Sequence, residues 1–561
     1  MYNVQAVNGS DANLAAKLEN GLNQSAIRQM NEKKDDFLTQ YYPTVQWQGW
    51  KVDGNRVIPS GEVYIEKQQE NIFEKGDGTR ENPYVIVNIE QFMKFAGSFN
   101  EAKDYAGEYI VLDQDIVLPD GEFNPLGQTE NGYVPFCGNF NGQGHKIANL
   151  RIGSRDAYKA DDYQMYYGLF SELGQDAVVS DLVIEDAQIY VEGDASIMAG
   201  ILAGSVRNAT IDGCQTSGNV GVRTVNSSEA LTGANSFAGG IAGYAMYSNI
   251  VNSGSSANVD AFCRTANAEA GGIAGLAAFG VVANCYTTGN ISGETDRTVD
   301  DGGVTYLAGL VGCHAQQMAN CYELGSVNSQ SWSIRVGALA GMATGISQTS
   351  YNYYNLDASQ SIQGEKVSPV VGIGQIIGSG VGEDGAYDGA IADYNEGMTA
   401  AGLASQEFAD TLNANFEHFP IDVAQKLPSG VTLKKWVVDN GKVVPGSETA
   451  EITYVALEQP KPVYNYLDGV YYGRALFNAE TMDYVYVKAT VEESRLTDIT
   501  VTQTPDTFDT TVIKDIVAQT IEEQEAPEIE ESDSFSAKVL KNAIAVVLNR
   551  ALIGDKTGYD L

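Results

Sequence analysis

Between Gly200 and Asn352 the chain repeats one pattern five times: GILAG before IDGCQTSGNV, GGIAG before IVNSGSSANV, GGIAG before VANCYTTGNI, AGLVG before MANCYELGSV, and GALAG before SQTSYNYYNL. A unit this short cannot bury an apolar face alone, so repeats of this kind stack on one another. Pairing the closing Gly of each block with the following Cys or Ser gives Gly204/Cys214, Gly243/Ser253, Gly275/Cys285, Gly312/Cys321 and Gly341/Ser350, separated by 10, 10, 10, 9 and 9 residues. Successive glycines are 39, 32, 37 and 29 residues apart, so the variation lies after the GNV-type ending. A constant half and an elastic half predict stacked rungs with loops of free length on one side. An earlier degenerate copy starts at Gly168-Leu169-Phe170.

The spacing places Ile201, Ile241, Ile273, Leu310 and Leu339 in one interior column, with small residues such as Ala203, Ala242, Ala274 and Val311 beside it. Parallel rungs stack at about 4.8 Å, so six of them span roughly 25 to 30 Å. Asn252, Asn284 and Asn320 precede the Cys/Ser position, where stacked amides can bond along the axis and satisfy turn backbone. Cys214, Cys285 and Cys321 share that position with Ser253 and Ser350, which points to a small inward side chain rather than to disulfide or metal chemistry.

Composition supports strands and turns: 60 Gly and 31 Tyr in 561 residues. The net charge of −39 repels phosphate backbones and anionic membranes, so nucleic acid is not an expected partner. None of the six cysteines forms a CxxC pair and the chain has three histidines, which argues against structural zinc. No window approaches the length of an apolar membrane span, and no signal-like run opens the chain.

Seven segments follow. Residues 1–75 carry an amphipathic helix over 10–40 (Leu14, Leu18, Leu22, Ile27, Met30) and a hairpin turning at Asp53-Gly54. Residues 76–165 hold strands at 84–87 and 109–112 and a short helix at 89–97, and cover one open end of the stack. Residues 166–357 are the repeats. Residues 358–446 are a flank that caps the other end, with a loop over 364–389, a helix over 405–413 and a Trp-bearing hairpin over 436–444. Residues 447–462 read as an acidic, Pro-ended linker, 463–552 as a small α+β module, and 553–561 as a tail.

Together, GTRENPYVIVNIEQFMKFA, YIVLDQDIVLP, FCGNFNGQGHKIANLRI, YYGLFSEL and the G-[IL]-x-G blocks resemble bacterial surface proteins with GLUG-motif repeats, over roughly residues 76–357. The resemblance implies a right-handed parallel β-helix, a mainly β solenoid, in a secreted or cell-surface, adhesin-like protein. Its implied partners are other surface proteins, host or matrix glycans or proteins, or copies of itself.

Residues 464–552 resemble the small FMN-binding domain of respiratory and extracellular flavoproteins, in DGVYYG from Asp468, in VKATVEESRLTDITV and in the final helix AKVLKNAIAVVLNRAL. Members that hold flavin covalently carry Ser-Gly-Ala-Thr before the last helix, with the Thr joined to the flavin phosphate. Here the stretch reads EIEESDSFSAKVL, in which Ser534 and Ser536 are the nearby hydroxyls and Glu528, Glu530, Glu531 and Asp533 crowd them. That field repels a phosphodiester, so no cofactor is expected, and Ser534 and Ser536 stand as the candidates if FMN were held.

No catalytic residue is assigned. The loop acids Glu294, Asp296, Asp300 and Asp301 are not repeated on neighbouring rungs as paired glycosidase carboxylates would be. Asp296, Asp300 and Asp301 are the candidate cation ligands, short of the six to eight oxygens calcium takes. Cys313 and His314 adjoin in a strand and so point to opposite faces. The expectation is a non-enzymatic extracellular structural or adhesive protein, with a filament subunit as one form of it. A flavin-carrying redox protein and a polysaccharide-degrading enzyme are the alternatives.

Overall fold

A computed structural model describes residues 72–377 and 395–553, except 130–131, 161–164, 226–233, 297–303, 332–333, 345–347, 369, 421–422, 424–425, 456–465, 479–482, 493, 528 and 530–531, and the backbone of four short strands between 45 and 64. The chain divides into two compact units, Met1–Glu74 and Lys75–Leu561. In the first, Trp50–Asp53 pairs antiparallel with Arg56–Pro59, and Val45–Trp47 pairs with Glu62–Tyr64. The helix expected over 10–40 lies outside the described residues.

The second unit is dominated by a parallel β-solenoid of about nine turns. On one face, nine strands from Tyr84–Ile86 to Gln348–Ser350 stack in parallel, one per turn. Eight steps at about 4.8 Å give a coil about 38 Å long. The alternation of the repeat explains the core: Ile110, Phe140, Val179, Ile211, Ile250, Val282, Met318 and Thr349 form one unbroken column, buried throughout. Each large apolar side chain there contributes about 1.5–3 kcal/mol relative to exposure.

The predicted column at the bend is present, since the backbone links Leu126, Leu169, Ile201, Ile241, Ile273, Leu310 and Leu339 turn by turn. All are buried. Glycine is required where turns crowd: a Cβ on Gly239 would lie 1.8 Å from the Ala242 carbonyl oxygen.

Two differences from expectation concern the register and the stretch that follows the repeats. Ala319 pairs with Ser350, and the amides of Tyr322 and Tyr353 bond to the carbonyls of Cys285 and Cys321. The fifth member of the Cys/Ser column is therefore Asn352, and Ser350 stands two places earlier; counting residues cannot reveal a longer bend. The loop expected over 364–389 contains a strand, Ile373–Ile377, parallel to Ala340–Thr344 and one turn further on. Gly372-Ile373-Gly374 there is one more degenerate copy of the bend.

At the amino-terminal end a short helix packs on the first turns. Asn88 caps the helix Ile89–Ser98 by accepting the Gln91 amide, and its buried face presents Phe92 and Phe95. The Phe95 ring lies 5.0 Å from Tyr105 and 6.1 Å from Phe140 of the third turn. The carboxy-terminal flank behaves differently. Glu396–Met398 adds a strand beyond Tyr353–Asn355, but the helix Gln406–Ala414 and the hairpin Lys434–Asp439/Lys442–Thr449 lie along the side of the coil. They pack on Val251, Ala283, Tyr286, Tyr322 and Tyr353, spanning several turns. Residues 447–455, expected to begin a linker, complete this hairpin and pair Tyr454–Val455 with Phe419–Pro420.

Beyond it, Gly469–Asn478, Asp483–Glu492 and Arg495–Gln503 form an antiparallel sheet. The helices Ile513–Glu523 and Phe535–Ile553 share its core through Ile516, Leu540, Ile544 and Val547.

Candidate functional site

Two corners of the coil compete for the role of functional surface. The first is the asparagine corner. Asn252, Asn284 and Asn320 hold left-handed backbone (φ 50°, 59° and 56°), a conformation asparagine tolerates well. Asn252 Nδ2 donates to Asp212 Oδ1 (2.6 Å), Asn284 Nδ2 to Asn252 Oδ1 (2.8 Å), Asn320 Nδ2 to Asn284 Oδ1 (3.1 Å) and Asn415 Nδ2 to Asn320 Oδ1 (2.9 Å).

The same amides tie the flank on, donating to the carbonyls of Thr432, Lys434 and Leu412 at 2.9, 2.8 and 3.2 Å. Tyr286 and Tyr322 stack at 5.6 Å, and Trp436 covers both at 6.4 and 5.6 Å. The Tyr322 hydroxyl donates to the Val443 carbonyl. This corner is thus an internal seam closed by the chain's own flank.

The second is the corner from which the unequal segments emerge. Each segment leaves after Thr224, Cys263, Thr295 or Ser331 and returns before Ser236, Ala268, Thr305 or Ile334. Its base is pinned. Asn235 N donates to Ser196 Oγ, Asn267 N to Asn235 Oδ1 and Val304 N to Asn267 Oδ1, each at 3.0 Å. The Ser236 and Thr224 hydroxyls bond at 2.8 Å, and Ser331 Oγ donates to the Thr295 carbonyl at 3.1 Å. Beside the base, Arg223 lies over the rings of Tyr158 and Phe262 (5.5 and 5.0 Å) and pairs with Glu192 at 3.1 Å. Segments of different length therefore start from a rigid foundation.

Of the candidate cation ligands, Asp296 pairs with Arg264 at 3.5 Å, while Asp300 and Asp301 lie outside the described residues. No cluster of three or more metal-ligating side chains occurs among the described residues. Ser534 Oγ accepts the Ala537 amide at 3.2 Å, and Ser536 Oγ, buried, accepts the Asp509 amide at 3.0 Å. Both hydroxyls are thus engaged with backbone at the start of the last helix, and Lys541 pairs with Asp533 at 2.8 Å.

Cys313 lies beside Leu276 and Met342, and His314 beside Ala277 and Ala343 in the neighbouring column, as strand alternation requires. Cys214, Ser253, Cys285, Cys321 and Asn352 are wholly buried, and burial pushes the Cys214, Cys285 and Cys313 thiols up, away from the reactive thiolate.

Two buried carboxyls were not legible as such. Glu269 faces outward from the bend between the column neighbours Phe237 and Tyr306, and burial pushes it up to about 8 against a hydrogen bond from Asn267. Glu323 stands in a column that reads Ile116, Ile147, Ile184, Thr216, Ser255 and Thr287 on earlier turns. Thr216 and Thr287 donate to the bend carbonyls of Gly240 and Gly309 at 2.9 and 2.8 Å. Glu323 Oε1 accepts the Asn355 amide at 3.1 Å, and burial raises the carboxyl to about 8, so it stays largely protonated at neutral pH. In sequence, both read as ordinary surface acids.

No family model matches the chain. A stretch of 143 residues, 24% of this chain, is 32% identical to 14% of a protein of Evansella cellulosilytica described as a Gly-rich membrane protein. Another of 149 residues, 26% of this chain, is 28% identical to 2% of the halomucin of Haloquadratum walsbyi. The chain thus spans a small part of either relative's length. A crystal structure from Bacteroides ovatus, described as an immunoglobulin A1 protease, aligns over 61% of this chain and 90% of that one, with 19% identity and a TM-score of 0.42. At that level the likeness bears on neither mechanism nor substrate.

Proposed function

We propose that this chain is a non-enzymatic structural or adhesive protein of a bacterial cell surface, with a right-handed coil as stalk and recognition in the unequal segments. The observation that carries the reading is the contrast between two corners: the asparagine corner of the constant half is closed as a seam by the flank, and the elastic half rises from a pinned base. The similarity to short parts of a Gly-rich membrane protein and a halomucin supports a surface setting. Strong acidity suits an exposed, soluble surface.

The segment at 10–40 is the part that would join copies into a filament, and glycans or proteins outside the cell are the proposed partners. The carboxy-terminal sheet and helices are proposed as a flavin-type module that has lost its phosphate attachment, and protein from the native host is expected to be colourless. Immunogold labelling of intact cells, with protease shaving, tests the assignment. Surface label lost on shaving is expected; label confined to the cytoplasm, or hydrolysis of a glycan by the purified chain, would overturn it.

A further inference from the structure

The bend between Ala203–Arg207 and Thr210–Asp212 recurs on successive turns with one residue in left-handed backbone: Asp176 (φ 61°), Asn208 (52°), Tyr247 (52°) and Phe279 (61°). The ladder Asp176 N to Asn208 O, Asn208 N to Met246 O and Tyr247 N to Ala278 O shows that they are equivalent positions. Asp and Asn meet that backbone demand at low cost. Bulky aromatic residues do not, and strain of this kind collects at functional sites. Yet Tyr247 and Phe279 are 56% and 41% exposed, so burial gives little in return. Their rings stack on each other at 5.0 Å and 17°.

With Phe279 on one side of Tyr247 along the coil, Asn208 is its neighbour on the other, and Asp176 stands one turn beyond. Both are exposed. Two steps of the coil, about 10 Å, separate Tyr247 from Asp176. A flat ring laid on Tyr247 from that side would have a carboxamide and a carboxylate at its rim. A pyranose fits this chemistry: its axial C–H groups pack on an aromatic face, and its hydroxyls bond to the amide and acid. The net charge of −39 disfavours acidic sugars.

We propose that Tyr247, backed by Phe279 and completed by Asn208 and Asp176, is a binding site for one pyranose ring of an uncharged glycan. The inference rests on the adhesive reading above and adds to the unequal segments a contact on a bend of the constant half. The test is binding of the purified full chain to immobilised cellohexaose, laminarihexaose and mannohexaose, with Tyr247→Asn as the variant. This substitution restores the residue type the bend holds elsewhere, so the fold is retained and the melting temperature is unchanged or higher.

Binding of at least one probe, weakened about tenfold or more in Tyr247→Asn, is expected. No binding by the native chain, or equal binding by the variant, would overturn the site. So would self-association abolished by Tyr247→Asn without glycan binding, which would make the ring pair a contact between copies. Binding by a chain found inside the cell would overturn only the surface assignment, whereas a surface location without binding would overturn only this site.

Discussion

Two columns of the same coil take up left-handed backbone and end differently. At Asn252, Asn284 and Asn320 the amides bond along the axis and sideways to the flank, and the corner is closed. At Asn208, Tyr247 and Phe279 the same backbone points into solvent and two of three residues are aromatic. The backbone demand alone does not select the residue. Asparagine prevails where its amide also has partners to join, and elsewhere the position is open to a side chain that the fold itself does not need.

The strongest way to break this comparison is to remove the seam's anchor. Trp436→Ala deletes a fully buried side chain packed on Tyr286 and Tyr322, and is expected to cost about 3–5 kcal/mol and release the flank. Chemical denaturation and limited proteolysis within 400–455 measure it; a flank still protected after the substitution would show that the seam does not hold it. Asn284→Ala should cost about 2–3 kcal/mol, because it removes the bonds of Asn284 to Asn252 and Asn320 and leaves the Lys434 carbonyl without its amide donor. Asn284→Gly removes the amide but suits the backbone, so a similar loss in both variants assigns the effect to the hydrogen bonds.

A third effect is acid-favoured stability. The folded carboxyls of Glu269 and Glu323 are raised to about 8 from 4.5, so the folded chain keeps two protons that the unfolded chain releases in this window. Their contribution is present at pH below about 4.5 and is lost as pH rises toward 8, at up to about 1.4 kcal/mol per pH unit and group. Urea midpoints should fall over this range, and Glu323→Gln should flatten the slope; an unchanged slope would contradict a protonated Glu323. The smallest effects lie on the open faces. Tyr247→Asn should stabilise by about 1 kcal/mol through relief of strain, and Asn258→Ala, on an exposed amide ladder with Asn219, should change stability by less than about 0.5 kcal/mol. A larger loss at Asn258 would erase the distinction between closed and open columns.

Much of the coil was legible because period and burial coincide. The columns through Ile201 and Cys214, the early copy at Gly168, and the short helix near 89–97 all follow from residue type and spacing. Ser350 was misplaced because a count from Gly341 does not see where strand pairing resumes. The strand at Ile373–Ile377 was hidden by surrounding glycines. The lateral path of the flank was illegible for a different reason: nothing in the spacing of Tyr286, Tyr322 and Tyr353 tells that another part of the chain packs on them. Glu269 and Glu323 escaped notice because nothing in a carboxyl's sequence context distinguishes a solvated acid from a buried, protonated one.

The division of labour between the closed and open corners is tested most directly by hydrogen exchange of the full chain, native and Trp436→Ala. The structure predicts that the substitution speeds exchange in 400–455 and along the seam at 249–252, 281–284 and 317–320, while 197–207 and 236–246 on the opposite bend keep their protection. Uniform acceleration through every turn, or none at the seam, would contradict a coil whose constant half is closed by its own flank.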